Sequence, residues 1–243
     1  MRIASKTDIG RLRRTNQDAY ACGELLGGSA AWAVVCDGMG GANGGNIASS
    51  NAVKVVSERI ASGFRSEMSA NSVKNLLVSA VCAANINVFD MAKSIETLSG
   101  MGTTIVAAIL TQSVLYVVHA GDSRCYVISG NEMIQLTRDH SIVQMMVECG
   151  QITPQEAKVH PKKNVITRAL GVEEMIEVDF DAYDVQPDDK ILICTDGLTN
   201  FMEHEEILSV IQQENFYEYA DRLIEGANQN GGGDNITVVV ISQ

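Results

Sequence analysis

The stretch that decides the fold is TTIVAAILTQSVLYVVH, residues 103–119. Two apolar runs rich in β-branched residues, 103–110 and 114–119, are separated only by Thr111, Gln112 and Ser113. A connection this short joins antiparallel neighbours, whereas parallel neighbours need a crossover of a dozen or more residues. The stretch therefore predicts an antiparallel hairpin and argues against a Rossmann or barrel fold.

Similar runs on both sides of this hairpin predict further strands, at residues 31–36, 124–128, 176–180, 190–194 and 236–241. The turn Ser129-Gly130-Asn131 predicts an antiparallel partner at 132–136. Apolar residues at three- and four-residue steps predict a helix over 72–95, and other helices are expected at 46–62, 203–213 and 216–228. Helices early and late with strands between them indicate an α+β class.

We expect one domain over residues 1–243, because the sequence contains no linker, low-complexity segment or fixed-period repeat. Residues 138–171 break the regular pattern with a short helix near 142–149, Gly150, Pro154 and a basic cluster. This segment is typical of a mobile flap.

The net charge and the hydrophobic content limit the classes of molecule that this chain can bind. The net charge is -12, from 18 Lys+Arg and 30 Asp+Glu, and 46% of the residues are hydrophobic. Such a chain can bury a core, repels nucleic acids and anionic membranes, and attracts cations. Its uninterrupted apolar stretches are much shorter than the roughly 20 residues of a membrane span. The first residues lack the apolar segment of a signal peptide, and six scattered cysteines suggest no disulfide framework, so we expect a cytoplasmic location.

Four carboxylates lie at the ends of predicted strands. Asp37, Asp122 and Asp196 follow apolar runs, and Asp234 precedes one. Any one of them alone is explained by an ordinary turn. Together they predict a shared site in which a cation neutralises like charges, and oxygen ligands favour Mg²⁺ or Mn²⁺.

Other hydrolase and nucleotide motifs are absent from the sequence. The glycine-dense segment 37–45 precedes a helix but lacks the Lys-Ser/Thr of a P-loop. There is no GxSxG, and Leu208 replaces the second histidine of HExxH after His204-Glu205. Serine-hydrolase and zinc-protease chemistry are therefore excluded.

An ordered series of short motifs spans nearly the whole chain: Thr7-Asp8-Ile9-Gly10, Arg13-x-x-Asn16-Gln17-Asp18, Cys36-Asp37-Gly38-Met39-Gly40-Gly41, Gly100-Met101-Gly102-Thr103-Thr104, Gly121-Asp122-Ser123-Arg124, Thr195-Asp196-Gly197-Leu198-Thr199 and Gly233-Asp234-Asn235. In this order they resemble the metal-dependent protein phosphatase family of type-2C serine/threonine phosphatases, in particular its bacterial branch. The resemblance implies two antiparallel sheets in a central sandwich, flanked on both sides by pairs of helices, with a flap at about 138–171.

The resemblance also implies two core Mg²⁺ or Mn²⁺ ions and a weaker third. Asp37 would bridge both core ions, Asp18 and the Gly38 carbonyl would assist on one, and Asp196 and Asp234 would hold the other. Asp122 would contribute to the third ion with Asp196, and Arg13 would grip the phosphate. Two such ions lower the pKa of a bridging water towards ~7, so that it attacks phosphoserine or phosphothreonine directly.

Four positions depart from the family's pattern. Met39 stands where animal members carry the histidine thought to protonate the leaving oxygen, so the general acid is either a metal-bound water or a flap residue such as His160. Gln17, Asn46 and Asn200 stand where relatives carry acids, and the lost charge at Asn200 predicts a weak third ion.

The implied partners are phosphorylated proteins and a cognate bacterial serine/threonine kinase, and a monomer is expected. Two rival functions stay open at this point. A silent phosphoprotein-binding module on the same fold would be expected to lose Asp37, Asp196 or Asp234, all of which are present. A hydrolase of small phosphate esters would keep them.

Overall fold

The computed structural model describes residues 1–213 and 215–243, and the side chains of residues 41–43 lie outside the described part. Its strands are β1 (Arg2–Asp8), β2 (Asp18–Leu25), β3 (Ala30–Met39), β4 (Gly102–Thr103), β5 (Ile105–Leu110), β6 (Val114–Ala120), β7 (Arg124–Ser129), β8 (Glu132–Gln135), β9 (Asp179–Asp184), β10 (Lys190–Cys194) and β11 (Ile236–Ser242). Its helices are α1 (Gly41–Gly63), α2 (Ala70–Ser94), α3 (Ile142–Glu148), α4 (Pro154–Val159), α5 (Asp196–Thr199), α6 (His204–Ile211) and α7 (Tyr219–Gln229).

The strands form two antiparallel sheets. One has the order β1-β11-β10-β7-β8, and the other has the order β2-β3-β5-β6-β9 with β4 paired to β3. The predicted hairpin is β5 and β6, with Leu110 opposite Leu115 and Ile105 opposite Ala120. The antiparallel reading of residues 103–119 is therefore confirmed.

Three apolar layers hold the sheets and helices together. Alternate residues of both sheets, among them Val35, Leu115 and Ile193, fill the space between the sheets. The opposite face of the second sheet packs on α1 and α2, and that of the first sheet packs on α6 and α7. Because side chains alternate between faces along a strand, each sheet can be buried on both sides. The α-β-β-α sandwich that the resemblance implied is confirmed.

Helix α2 alone, among the described helices, is long and apolar enough by length and composition to cross a membrane. Its inner side, including Val73, Leu77 and Val88, is buried in the core between α2, α1 and the sheet. A helix that covers a sheet meets the same test of length and composition.

Several element bounds differ from the sequence predictions. The run 103–110 is interrupted at Thr104, whose N–H bonds to the Asp37 carbonyl, so it forms β4 and β5 rather than one strand. The strand expected at 176–180 lies at Asp179–Asp184, and α7 begins at Tyr219 after a 3₁₀ turn over Phe216–Glu218. Strands β1 and β2 were not predicted at all.

The segment 138–171 carries α3 and α4 and is tied to the sandwich at both ends. His140 N–H donates to the Gly121 carbonyl at 2.9 Å, and Thr103 and Leu170 exchange two backbone hydrogen bonds. These contacts join both ends of the segment to the sandwich.

Candidate metal centre

The strand-end acids meet at one end of the sandwich. Asp37 is near the end of β3, Asp122 follows β6, Asp196 opens α5 directly after β10, and Asp234 lies just before β11. All four line one cavity of about 450 Å³, together with Arg13 and the Gly38 backbone. The cavity gathers every predicted site residue except Asp18.

Asp18 lies buried at the base of this centre. Its Oδ2 accepts hydrogen bonds from Thr195 Oγ1 at 2.8 Å and Thr237 Oγ1 at 2.7 Å. Its Oδ1 is buried and has no hydrogen-bond partner among the described residues. Burial, aided by the negative charges of Asp196 and Asp234, raises the pKa of Asp18 to about 7.

Asp37 is held by its backbone. Its N–H donates to Thr104 Oγ1 at 2.9 Å, and its carbonyl accepts from Thr103 Oγ1 at 2.9 Å. Burial raises the pKa of the Asp37 carboxyl well above its usual range, and the nearby charges of Asp18 and Asp196 raise it further. The side chain is therefore costly to ionise unless a cation is nearby.

Asp196 is a second carboxylate of the cavity that is costly to ionise without a cation. Its Oδ2 accepts from Asn200 Nδ2 at 2.9 Å, while its buried Oδ1 has no partner among the described residues. Burial and the charge of Asp234 raise the pKa of this carboxyl as well. Unpartnered carboxylate oxygens that repel one another form a hard, oxygen-only donor set, so the residues fit Mg²⁺ or Mn²⁺.

Gly38 is a point of close backbone approach. A β-carbon on this residue would lie 2.0 Å from the Gly45 carbonyl oxygen and 2.6 Å from that of Gln17. Its N–H donates to the Gln17 carbonyl at 3.1 Å. Only glycine lets β3, the start of α1 and the residues before β2 meet here.

Comparison with known proteins gives the same assignment. The family model "Protein phosphatase 2C" matches residues 12–237. The chain belongs to this protein phosphatase family. It is 37% identical over 244 residues to "Serine/threonine phosphatase stp" of Listeria innocua, covering 100% of this chain and 96% of the relative. The expected activity class, a metal-dependent serine/threonine phosphatase, is confirmed.

Solved structures of similar proteins share the fold. The S. agalactiae serine/threonine phosphatase superposes with a TM-score of 0.92 at 33% identity, covering 100% of this chain and 99% of that one. The catalytic domain of the phosphatase PstP, solved in complex with two manganese ions, gives a TM-score of 0.85 at 33% identity, with 98% and 96% coverage. This phosphatase therefore belongs to a metal-binding family.

Arg13 of the phosphatase lies at the mouth of the cavity. Its Nη2 donates to Asp234 Oδ2 at 2.7 Å, and about half of its side chain is exposed. A guanidinium has five N–H donors, so this contact leaves it able to bind phosphate oxygens as well.

A second cavity of about 370 Å³ lies next to the first, and both are lined by Asp122 and Asp196. Residues of α3 and α4 form its far wall, and Asn200 lines it too. Burial raises the pKa of Asp122 to about 8, and the charge of Asp196 adds to this. The pair predicted to hold a third ion thus stands between the sandwich and the flap segment.

The sequence analysis missed several residues that support the centre. Asn235 is buried and holds the loop before β2, donating to the carbonyls of Ile9 and Thr15 and accepting from Gln17 N–H at 2.8 Å. Its position directly after Asp234 was the available signal. Thr195, directly before Asp196, had the same signal. Thr237 had none, because it lies within an apolar run and is recognised only by its contact with Asp18.

A separate group of possible ligands is formed by His119, His140 and Asp179, whose ligand atoms lie within 4.8 Å of one another. Arg168 Nη1 contacts both His140 Nε2, at 3.2 Å, and Asp179 Oδ1, at 2.8 Å. Gly121 N–H donates to His140 Nδ1 at 3.1 Å. A guanidinium in contact with two members of the group favours a hydrogen-bond cluster over a metal site.

Met39 lines the main cavity, whereas His160 is not among the described residues that line either cavity. His160 closes the C-terminus of α4, and its Nδ1 accepts from Lys162 N–H at 3.1 Å. The structure therefore gives no support to His160 as the general acid.

Proposed function

We propose that this phosphatase hydrolyses phosphoserine and phosphothreonine on proteins with two Mg²⁺ or Mn²⁺ ions. Asp37 would be shared by both ions, Asp18 and the Gly38 carbonyl would serve one, and Asp196 and Asp234 would serve the other. Asp122 with Asp196 would hold a third, weaker ion. The observation that carries this proposal is the pair of buried, unpartnered Oδ1 atoms of Asp18 and Asp196.

The ions, when bound, lower the pKa of water and neutralise phosphate charge. The chain supplies the rest of the site. Arg13 binds the phosphate oxygens with its planar guanidinium and stabilises the charge that develops on them. Thr104 and Thr103 hold the Asp37 backbone, and Asn235 holds the loop that carries Arg13. The described residues that line the main cavity include no imidazole. We assign the proton for the leaving oxygen to water.

We also propose a partner kinase, a cellular location and an oligomeric state for the enzyme. Its substrates are phosphorylated by a cognate bacterial serine/threonine kinase, and it acts as a cytoplasmic monomer. Free thiols at all six cysteines suit a reducing compartment. A net charge of -12 favours a monomer and disfavours nucleic acid and anionic membranes as partners.

The test is phosphate release from a phosphothreonine peptide with Mn²⁺, with EDTA, and with Asp37→Asn in place of the wild type. We expect activity only in the metal-loaded wild type. Asp188→Asn is the matched control, because Asp188 is exposed and lies outside both cavities. It makes the same chemical change and should leave the rate unchanged.

Two outcomes would contradict the proposal. Folded, metal-loaded wild type that releases no phosphate from any phosphopeptide would favour a binding module. Hydrolysis of phenyl phosphate without hydrolysis of any phosphopeptide would favour an enzyme of small phosphate esters.

A further inference from the structure

A groove of about 930 Å³ lies beside the metal centre, and residues 172–177 form much of its lining. We call it the side groove. Val172 and Met175 are large apolar residues that are 55% and 85% exposed. The carboxylates of Glu173, Glu174 and Glu177 alternate with them along the same segment. The groove thus offers apolar surface and negative charge together.

The side groove and the metal centre share a wall at Gly102. The position that a β-carbon would take on Gly102 is 2.8 Å from Met39 Cε and 3.2 Å from Val172 Cγ2. Met39 lines the main cavity, and Val172 lines the side groove. A polypeptide whose phosphate occupies the metal centre therefore has its neighbouring residues beside this groove.

The backbone of the groove is held rigidly by Asn85, a residue of α2 that is only 1% exposed. Its Nδ2 donates to the carbonyls of Glu173 and Glu174, both at 3.0 Å, and its Oδ1 accepts from Gly171 N–H at 2.8 Å. All the polar atoms of this buried amide are thus used to fix one loop. The backbone of this loop therefore needs no further ordering when a substrate binds.

The charge of the side groove is negative. Arg168 is the one cationic side chain among its described lining residues. Its guanidinium contacts Asp179 Oδ1 at 2.8 Å and Glu177 Oε2 at 3.5 Å. Its positive charge is therefore balanced locally, and the carboxylates of Glu173 and Glu174 are in excess.

We propose that the side groove selects substrates with a lysine or arginine close in sequence to the phosphorylated residue. The aliphatic part of such a side chain packs on Val172 and Met175, and its charged end pairs with Glu173 and Glu174. This inference rests on the proposed function, because it assigns a substrate preference to the same enzyme.

The test compares three phosphothreonine peptides of equal length, with arginine, alanine or glutamate at the positions flanking the phosphothreonine. We expect wild type to prefer the arginine peptide over the alanine peptide by about 5–10-fold in kcat/KM, mainly through KM, as one or two exposed ion pairs supply. The double variant Glu173→Gln/Glu174→Gln should bring this ratio close to one. Glu173→Lys/Glu174→Lys should prefer the glutamate peptide.

The matched control is Glu132→Gln/Glu205→Gln, which changes the net charge equally. Glu132 and Glu205 are exposed, and they lie on the first sheet and on the helix layer that covers it. This variant should keep the full preference for arginine. A preference lost equally in the control would mean that overall charge, and not the groove, selects the peptide.

The remaining outcomes separate the two proposals. Equal hydrolysis of all three peptides by wild type would overturn the side groove and leave the phosphatase assignment intact. An arginine preference that persists at full size in Glu173→Gln/Glu174→Gln would also overturn it. Hydrolysis of phenyl phosphate but of none of the peptides would overturn both.

Discussion

Asp18 and Asp37 stand directly opposite each other in the antiparallel pairing of β2 and β3. Opposite residues share a face of the sheet, and like charges in that arrangement are destabilising. Burial is the chief cause of the raised pKa of both carboxyls, and the charges of Asp196 and Asp234 raise both further. The charge of Asp18 also raises the pKa of Asp37. In the metal-free protein these buried carboxyls are therefore costly to ionise, and a cation bound near them would offset that cost.

Asp18→Asn should therefore stabilise the metal-free protein while weakening its response to metal. The amide oxygen still accepts from Thr195 and Thr237, but the negative charge is gone. We expect a higher Tm without metal, by about 2–4 °C for each kcal/mol of repulsion removed, and a smaller rise on adding Mn²⁺. Differential scanning calorimetry with EDTA and with Mn²⁺ measures both. A lower metal-free Tm together with an undiminished metal response would contradict the account.

The stability of the metal-free protein should fall as pH rises from 7 to 8.5. Asp18 and Asp122 have a pKa of about 7 and about 8 in the folded state, against 3.8 as the ordinary value. The folded state therefore binds more protons than the unfolded state in this range, and its stability declines as those protons are lost. The burial-lowered pKa of His119 and His140 keeps both neutral here, so they contribute no opposing change.

The unfolding free energy should fall by on the order of 1 kcal/mol per pH unit for each extra proton that the folded state binds. Urea unfolding at pH 7, 7.75 and 8.5 measures it, with EDTA and then with saturating Mg²⁺. The stabilisation by Mg²⁺ should grow over the same range, and Asp18→Asn should show a shallower decline. A metal-free protein that becomes more stable towards pH 8.5 would rule out protonated acids at the centre.

Much of the sandwich follows from local sequence. The β5 and β6 strands are nearly continuous apolar runs because each is buried on both faces, and their three-residue connection sets the antiparallel pairing. Strand β1 lies at a sheet edge and has mostly half-exposed, mixed residues. Strand β2 contains Gly23 and few β-branched residues. Their pairing with β11 and β3 is a tertiary property, so neither strand has a strong local signal.

Some residues of the candidate metal centre also follow from local sequence, whereas Asp18 does not. Asp37, Asp122, Asp196 and Asp234 were found from their positions at strand ends, which the antiparallel sheets bring to one cavity. Asp18 precedes only the short run Ala-Tyr-Ala-Cys, which contains no β-branched residue, and it was reached only through family resemblance. Its role depends on Thr195, directly after β10, and on Thr237 in β11, both far from Asp18 in the sequence. No pattern within residues 1–30 could contain that contact.

Arg13→Ala should lower kcat/KM on a phosphopeptide by roughly 10²-fold, the size of effect seen when a positioned donor to a developing oxyanion is removed. Arg13→Lys should recover only part of this, because an ammonium lacks the planar fork. Arg14→Ala is the matched control in the same exposed loop and should stay close to wild type. Steady-state kinetics with Mn²⁺ give the values. An equal loss in Arg14→Ala would assign the effect to the loop's overall charge.

Gly38→Ala should abolish activity through the backbone rather than through chemistry. The added β-carbon would lie 2.0 Å from the Gly45 carbonyl oxygen, and a backbone atom cannot move aside cheaply. Relief requires β3 to separate from α1, which displaces both the Gly38 carbonyl and Asp37. We expect a loss of at least about 2 kcal/mol in unfolding free energy and no rise in Tm on adding Mn²⁺.

Gly130→Ala separates this effect from the ordinary strain of replacing a glycine. Gly130 has φ +56° in the β7–β8 turn, and its β-carbon would meet no atom within 4 Å. Its replacement should lower the unfolding free energy by about 1 kcal/mol, because alanine is strained in the left-handed backbone conformation. The variant should keep both its activity and its rise in Tm on adding Mn²⁺. If Gly38→Ala behaves like Gly130→Ala, the close approach of β3 to α1 is not what positions the Gly38 carbonyl that we propose as a metal ligand. The position of Asp37 must then be set by Thr103 and Thr104 instead.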